Sequence, residues 1–588
     1  MSVCLFWGML KTCQNQKSSI FRFFGKFVGK LKFFSSDIVN IYLILFTIVH
    51  RYTNIAKTQK NPKVKNKSPV VNTTMSLTDF PVRDLFSAWC QQKGLDTKEH
   101  QLKGIEWVIN RERNPTLGSA GGFICDEMGL GKTILMIGAM VLNPKEHNLV
   151  VLPKSLLDQW LDAVCRFSAL DSDDILVYHG ASGRAVSAED IADYRVVITT
   201  YGMIATRKAK GGRPAYRCPL WAQQWDRIIY DESHHLRNSS TGQFAGANNL
   251  QAPIKWMVTG TPINNKKGDF YNQSVIQGSG AHFTPRMAAI RRIINAIVLK
   301  RTKKQVGIKM PNLNEEIIEV EWQSPEEEMF VRNVHNLMRF APVTARNVDN
   351  VIQHLGNMYQ SVFPMFMLMR QSCVKPSLAY NSLLRRAIIG SREEDAENAQ
   401  NLVRPNTSSK IKAVVDKVVE NRQTGKSKLI FCLFRAEMEH IAMDLKEKGF
   451  NPAIINGSTT KKQRRFALQA GLKHDEWIDI APQLPEAVCG HINSYLAPNV
   501  LIAQIQTSCE GLNLQHFAEV YFTTPHWNPA VESQAIARCH RIGQKKDVNV
   551  YRFVTTFEDA EDEASMSLDQ YCMEVQRIKK AVATECGL

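Results

Sequence analysis

The stretch Asp126-Glu127-Met128-Gly129-Leu130-Gly131-Lys132-Thr133 follows an apolar run, Gly122-Phe123-Ile124-Cys125, and leads into a helical segment from Thr133 to Val141. Glycines at such a turn let backbone N–H groups close around phosphates at a helix N-terminus. The lysine adds a point charge at the outer phosphates, and the threonine hydroxyl can ligate magnesium. The general form of this loop has Gly at the first position, where Asp126 stands here. Further along, Ile228-Ile229-Tyr230 ends in Asp231-Glu232-Ser233-His234, which delivers two acids at the tip of a buried strand. The first would hold magnesium, directly or through water, and the second would polarise the water that attacks the outermost phosphorus. A solvated acidic turn is the bland alternative, disfavoured by the phosphate loop upstream. Near the C-terminus, Arg538 and Arg541 stand three apart within Gln534 to Gln544, on one face if helical. Two readings of that spacing stay open: guanidinium groups that stabilise charge in phosphoryl transfer, or partners in structural ion pairs.

The elements that must position these residues alternate. Short apolar runs at Asn148 to Pro153, Ile175 to Tyr178, Val196 to Thr199, Arg227 to Tyr230 and Lys255 to Val258 alternate with helical segments, one of which, Leu156 to Phe167, puts Leu156, Leu157, Trp160, Val164 and Phe167 on one face. This is the pattern of a parallel sheet covered by helices. After Pro311 come long helical stretches, Glu326 to Phe340 and Val351 to Arg370, and then a charged, Asn-rich connector from Ser391 to Ser409. A second alternation follows: Lys428 to Leu433, a helix to Lys448, Pro452 to Ile455, Val500 to Ile505, Val520 to Thr523 and Val548 to Phe553, with Lys473 to Pro498 as an insertion. The expected fold class is α/β, two lobes each with a parallel sheet covered by helices, with helical insertions between and within them.

The chain has 588 residues, 44% of them hydrophobic, enough for several domains with sizeable cores. Its formal charge of +17 favours polyanionic partners. Residues 1 to 74 hold 12 basic side chains against the single acid Asp37, which leaves +6 for the remainder. That leader also carries aromatic clusters such as Phe21, Phe23, Phe24 and Phe27. It reads as an organelle-targeting segment, as a membrane-surface anchor, or as upstream sequence joined to a true start at Met75. Its longest apolar run, Ile38 to Val49, falls short of the ~20 residues a membrane-spanning helix needs. Thirteen cysteines without any C-x-x-C pair suggest a reducing compartment and no zinc ribbon, finger or RING.

In these blocks, and in their order from 95 to 555, the sequence resembles the Swi/Snf-type ATPases, the branch of superfamily-two helicase-like proteins that pump along double-stranded DNA. Asp126 to Thr133 is similar to that family's own phosphate loop, which has Asp where others have Gly. Asp231 to Asn238 resembles its acidic box with Ser in place of Ala, and Val258 to Asn265 its coupling motif. Leu299-Lys300-Arg301-Thr302-Lys303 is similar to the block closing the first lobe, and His540-Arg541-Ile542-Gly543-Gln544 to one of the family's most diagnostic strings. Leu368 to Pro376 resembles a string of the DNA-repair subgroup whose inserted RING is missing here. Compact forms of this kind also look like those of large DNA viruses. The largest departure is Ser508-Cys509-Glu510-Gly511, where the family has more glycines, and Glu510 would stand near DNA phosphates.

The resemblance implies two RecA-like lobes at 75–310 and 411–560, a helical insertion and linker at 311–410 and a helical tail at 561–588. It further implies ATP with magnesium between the lobes, adenine contacted by Gln101, phosphates by Asp126 to Thr133, magnesium by Thr133 and Asp231, and Arg538 and Arg541 as arginine fingers. Lys132, Asp231 and Glu232 would be catalytic, while His234, Thr259, Thr261 and Gln534 would couple the cycle to movement. Expected partners are double-stranded DNA and nucleosomes or polymerase complexes, in the nucleus or at a viral replication site, with no zinc and no membrane. A strand-separating DNA or RNA helicase and a DNA-bound scaffold without turnover are the alternatives.

Overall fold

The structure, a computed structural model, describes residues 81–168, 170–207, 218–263, 267–282, 287–336, 359–389, 405–471, 498–508, 512–557 and 566–585. The leader, most of the expected connector and insertion, and the Cys509-Glu510-Gly511 part of the altered loop lie outside the described residues.

The first lobe is built on β1 (Ala120–Ile124), β2 (Asn148–Leu152), β3 (Ile175–Tyr178), β4 (Val196–Thr200), β5 (Arg227–Asp231), β6 (Ile254–Val258) and β7 (Val298–Leu299). They form one sheet in the order β3-β4-β2-β5-β6-β1-β7, and each neighbouring pair is parallel. Helices α1 (Val82–Gln92), α2 (Glu99–Arg113), α3 (Lys132–Leu142), α4 (Leu157–Phe167), α5 (Lys267–Gln277) and α6 (Met287–Ile297) accompany it. Strands covered on both faces must be apolar throughout. In β2, Leu149 and Val151 join Phe123, Tyr230 and Phe270 on one side, while Val150 and Leu152 join Ile105, Met136 and Trp160 on the other. The expected apolar face of α4 is the buried one, through Leu157, Trp160 and Val164. The strand carrying the phosphate loop, β1, is pressed closely between its neighbours. A Cβ on Gly121, whose φ is +87°, would stand 2.2 Å from the Lys255 carbonyl oxygen, so only glycine fits there.

The second sheet contains β8 (Leu313–Val320), β9 (Ser427–Cys432), β10 (Pro452–Ile455), β11 (Val500–Gln504), β12 (Phe517–Phe522) and β13 (Val548–Thr555), in the parallel order β10-β11-β9-β12-β13-β8. Edge strand β8 was not read from the sequence. Its acid-rich, mostly exposed residues lack an apolar alternation, and it is held by its register on β13 and by Glu315 bonded to Arg552 at 2.6 Å. Around this sheet lie α7 (Pro325–Asn336), α8 (Tyr359–Val374), α9 (Pro376–Ile389), α10 (Ser409–Glu420), α11 (Arg435–Glu447), α12 (Pro529–Cys539) and α13 (Leu568–Glu585). Phe330, Leu368, Leu383, Leu568 and Tyr571 pack α7, α8, α9 and α13 into one apolar layer. The fold is therefore the expected α/β one, two parallel sheets of seven and six strands covered by helices. Among the described residues, no helix is long and apolar enough to cross a membrane.

A buried ion pair ties α2 to the strand that delivers the acids. Arg227 at the start of β5 donates to both oxygens of Glu112 in α2, at 2.7 and 2.6 Å, and both side chains are fully buried. Glu112 also accepts from Trp256 at 2.8 Å and Asn143 at 2.6 Å. Removing one partner strands the other charge in a dry interior. Arg227→Met is expected to destabilise the protein by about 3–5 kcal/mol, read as a lower urea midpoint. Glu112→Leu added to it should recover part of that loss, whereas a single variant as stable as the parent would show the pair to be dispensable.

Candidate active site between the lobes

The phosphate loop leaves the end of β1 and turns into α3 at Gly131. That glycine caps the helix with φ at +86° and no side-chain bond, so first-turn N–H groups face the loop. A Cβ on Gly131 would lie 2.5 Å from Nε2 of Gln101, which places that glutamine directly against the loop. Lys132 Nζ donates to the Asp126 carbonyl at 2.8 Å. It also lies 3.8 Å from where a Cβ on Gly260 would stand, so the Thr259-Gly260-Thr261 turn covers the loop. The cradle, its lysine and Thr133 suit an ATP triphosphate with magnesium.

Asp126 is not open to the phosphates through its side chain. The carboxylate is buried and forms a two-pronged pair with Arg301, from Nε at 3.0 Å and from Nη2. Arg301 also donates to the His100 carbonyl, and the His100 ring meets the Leu130 carbonyl at 3.1 Å. Burial pushes the His100 pKa down, which favours a neutral ring. Glu127 accepts from the Lys303 backbone N–H at 2.7 Å and pairs with its ammonium at 3.1 Å. Arg301 and Lys303 stood in the sequence within the block Leu299 to Lys303 that resembles the family's close of the first lobe, and His100 beside Gln101, but none of the three had a role assigned, because nothing local names partners so far away.

The acids sit where β5 ends. Asp231 accepts from Trp160 Nε1 at 2.6 Å and from the Glu232 N–H at 3.0 Å, while the Tyr201 hydroxyl holds its carbonyl at 2.8 Å. Burial, with the nearby Glu232 charge, raises the Asp231 pKa to about 6. For Glu232 burial acts upward as well, but the hydrogen bond and charge of His234 and the charges of Lys132 and Arg538 outweigh it and hold the carboxyl at about 2. Glu232 also occupies left-handed backbone, φ +49° and ψ +49°, an uncommon conformation for a side chain of its size.

From Glu232 a line of polar contacts runs into the second lobe. His234 Nδ1 lies 3.3 Å from Glu232 Oε2 and 3.3 Å from Thr259 Oγ1. Thr259 Oγ1 accepts from the Thr261 N–H at 3.2 Å, and Thr261 Oγ1 accepts from Gln534 of α12 at 3.4 Å. A second crossing runs through Lys303, whose ammonium also donates to the His540 carbonyl at 3.0 Å. The next residue, Arg541, has its Cγ 3.7 Å from where a Cβ on Gly129 would be, so a second-lobe arginine lies on the phosphate loop. Arg538 is close enough for its charge to act on Glu232. The residues expected to bind, cleave and couple are thus gathered in one cleft.

Residues 100–276 match the family described as SNF2-related domain. Over 79% of the chain, the protein is 26% identical to the "Probable global transactivator" of Orgyia pseudotsugata multicapsid polyhedrosis virus, covering 87% of that protein. It is 22% identical to the DNA repair protein RAD5B of Arabidopsis thaliana, over 74% of this chain and 43% of the other. With the DNA excision repair protein ERCC-6-like of Danio rerio it shares 25% identity, over 79% of this chain and 35% of the other. The chain spans most of the viral relative and less than half of the two longer ones. The resemblance to Swi/Snf-type proteins is borne out by these matches, through the SNF2-related domain at residues 100–276 and through relatives similar over most of the chain.

Two outcomes follow from the geometry. A carboxyl whose pKa is raised on folding penalises the folded state once ionised. Asp231→Asn should therefore stabilise the nucleotide-free protein above about pH 6, with a gain that fades as the pH falls toward 3.8. The gain should reach up to about 3 kcal/mol, and urea midpoints across that window measure it; a loss of stability above the window would contradict the burial penalty. Lys303→Ala should lower kcat for nucleotide hydrolysis by roughly tenfold or more while KM moves less than about threefold, with Lys303→Arg restoring part of the rate. A change confined to KM would place Lys303 in binding alone.

Proposed function

We propose that this SNF2-related protein hydrolyses ATP between its two lobes and uses the cycle to move along double-stranded DNA, remodelling protein–DNA complexes in repair, transcription or chromatin. The observation that carries the reading is Arg541 of the second lobe lying against Gly129 of the phosphate loop. An arginine brought across a domain interface to that position can act only when the lobes are together, which makes cleavage depend on closure.

The glycine cradle and Lys132 bind the triphosphate, and Gln101, pressed against Gly131, is placed for the adenine side. Thr133 and Asp231 would hold magnesium, which when bound neutralises phosphate charge and orients the outer phosphate. Glu232 positions the attacking water, with its carboxylate kept ionised by His234 and the cations around it. Arg538 and Arg541 stabilise the charge that develops on the phosphoryl oxygens. His234, Thr259, Thr261 and Gln534 pass the state of the acid pair to α12. Support for DNA as the track comes from the repair proteins among the relatives and from the chain's net charge of +17. Nucleosomes or polymerase complexes would be the objects moved, in the nucleus or at a viral replication site, the latter supported by the viral relative.

ATP hydrolysis by the full chain, measured with no nucleic acid, single-stranded DNA, duplex DNA or RNA, tests the proposal. Duplex DNA should stimulate turnover most, Lys132→Ala should abolish it, and Arg541→Ala should lower kcat on the order of 10³-fold. A preference for single strands or RNA would favour a strand-separating helicase. No hydrolysis under any condition would favour a scaffold.

A further inference from the structure

Ser233, directly after Glu232, and Gln273 of α5 are polar side chains with no exposed surface. The Ser233 hydroxyl donates to Gln273 Oε1 at 2.7 Å. Gln273 Nε2 donates to the Pro262 carbonyl at 2.8 Å and to the Asp269 carbonyl, one turn earlier in α5, at 3.0 Å. The two carbonyls fix which way round the amide lies. They only accept, so the NH2 group must face them and the amide oxygen is left to the serine. Both N–H groups and the oxygen of this buried amide are then engaged, each with a different segment or turn of the chain.

Those segments are the ones the reaction uses. Pro262 follows the Thr259-Gly260-Thr261 turn after β6, and Ser233 opens the short 3-10 turn Ser233–Leu236 after the acids. The neighbouring Asn272 donates to the Arg237 carbonyl at 2.6 Å, so α5 holds that turn at both ends. Helix α5 is itself fixed to the core of the lobe, with the Phe270 ring 4.9 Å from that of Phe123 in β1. Glu232 has left-handed backbone, which a side chain of its size keeps only when its flanks are restrained. Its N–H is held by the Asp231 carboxylate at 3.0 Å and its carbonyl by the His235 N–H at 3.1 Å. The Ser233 hydroxyl on Gln273 is a third restraint, and an alanine at 233, as in the acidic box this segment resembles, could not supply it.

We propose that Gln273, acting through Ser233, is a positioning residue that holds the backbone of Glu232 and ties it to the coupling turn at Pro262. A displacement of that turn at the lobe interface then reaches the water-positioning carboxylate by a route separate from the contact between His234 and Thr259. The catalytic consequence rests on the hydrolysis reading, whereas the tie between the two turns does not need it.

The test compares the full chain with Ser233→Ala, Gln273→Met and the double variant, in two arms. Amide hydrogen exchange without nucleotide reads the tie. Ser233→Ala, which removes one oxygen, should speed exchange roughly three- to tenfold in a peptide spanning residues 231–237 and, through Gln273, in one spanning residues 258–263. ATP turnover reads the consequence. Each single substitution should lower kcat roughly ten- to a hundredfold while KM moves less than about threefold, and the double variant should be no slower than the slower single. Exchange that changes only in the substituted segment would overturn the proposal. So would single variants that keep the parental kcat, even if they melt lower, or that change KM alone, because Ser233 and Gln273 would then serve packing or binding. A parent chain that hydrolyses no ATP would sink the hydrolysis reading, and the exchange arm would still decide whether the tie exists.

Discussion

The ion pair between Asp126 and Arg301 is the contact on which the geometry of the cleft depends. A phosphate loop needs its backbone held in shape while N–H groups stay available for ligand. Within this loop the Leu130 N–H reaches the Glu127 carbonyl at 3.3 Å and Lys132 Nζ the Asp126 carbonyl at 2.8 Å, and further holding comes from the side. Arg301 grips the carboxylate at the loop's first position and the carbonyl of His100, while the His100 ring meets the Leu130 carbonyl. The strand end after β7, the start of α2 and the loop are thereby fixed to one guanidinium group. An aspartate where other phosphate loops have glycine is then a structural anchor, with its side chain turned away from the phosphates.

The same strand end reaches the other lobe two residues later. Lys303 takes Glu127 on one side and the His540 carbonyl on the other, next to Arg541. The polar line from Glu232 to Gln534 makes a second crossing between the same two lobes. Both crossings begin at the nucleotide side and end on α12 or the residues that follow it. Relative motion of the lobes must therefore alter the surroundings of the acids and of the loop together, which is the coupling a motor needs.

Much of this was legible in the sequence, for a physical reason. Parallel strands buried on both faces must be apolar throughout, so β2, β4 and β5 announce themselves, and a glycine-rich turn between strand and helix has few uses besides phosphate. The face of α4 was readable from its spacing. Strand β8 was not, because an exposed edge strand carrying Glu315, Glu316 and Glu319 lacks any apolar pattern. Two-residue β7 is too short to leave a signal. Arg301 and Lys303 looked like members of a basic run, since their partners are set by tertiary contact across 175 residues or more. The coupling residues came from the family resemblance and not from their spacing.

Asp126 and Arg301 act as a unit to shape the phosphate loop, and a double-mutant cycle on nucleotide affinity measures whether they do. ATP binding would be measured for the full chain, Asp126→Asn, Arg301→Gln and the double variant. If the two act as one, each single substitution weakens ATP by roughly tenfold or more and the double variant is no weaker than the worse single, a coupling of at least about 1 kcal/mol. Strictly additive losses, or an Asp126→Asn protein that binds ATP like the parent, would contradict the claim.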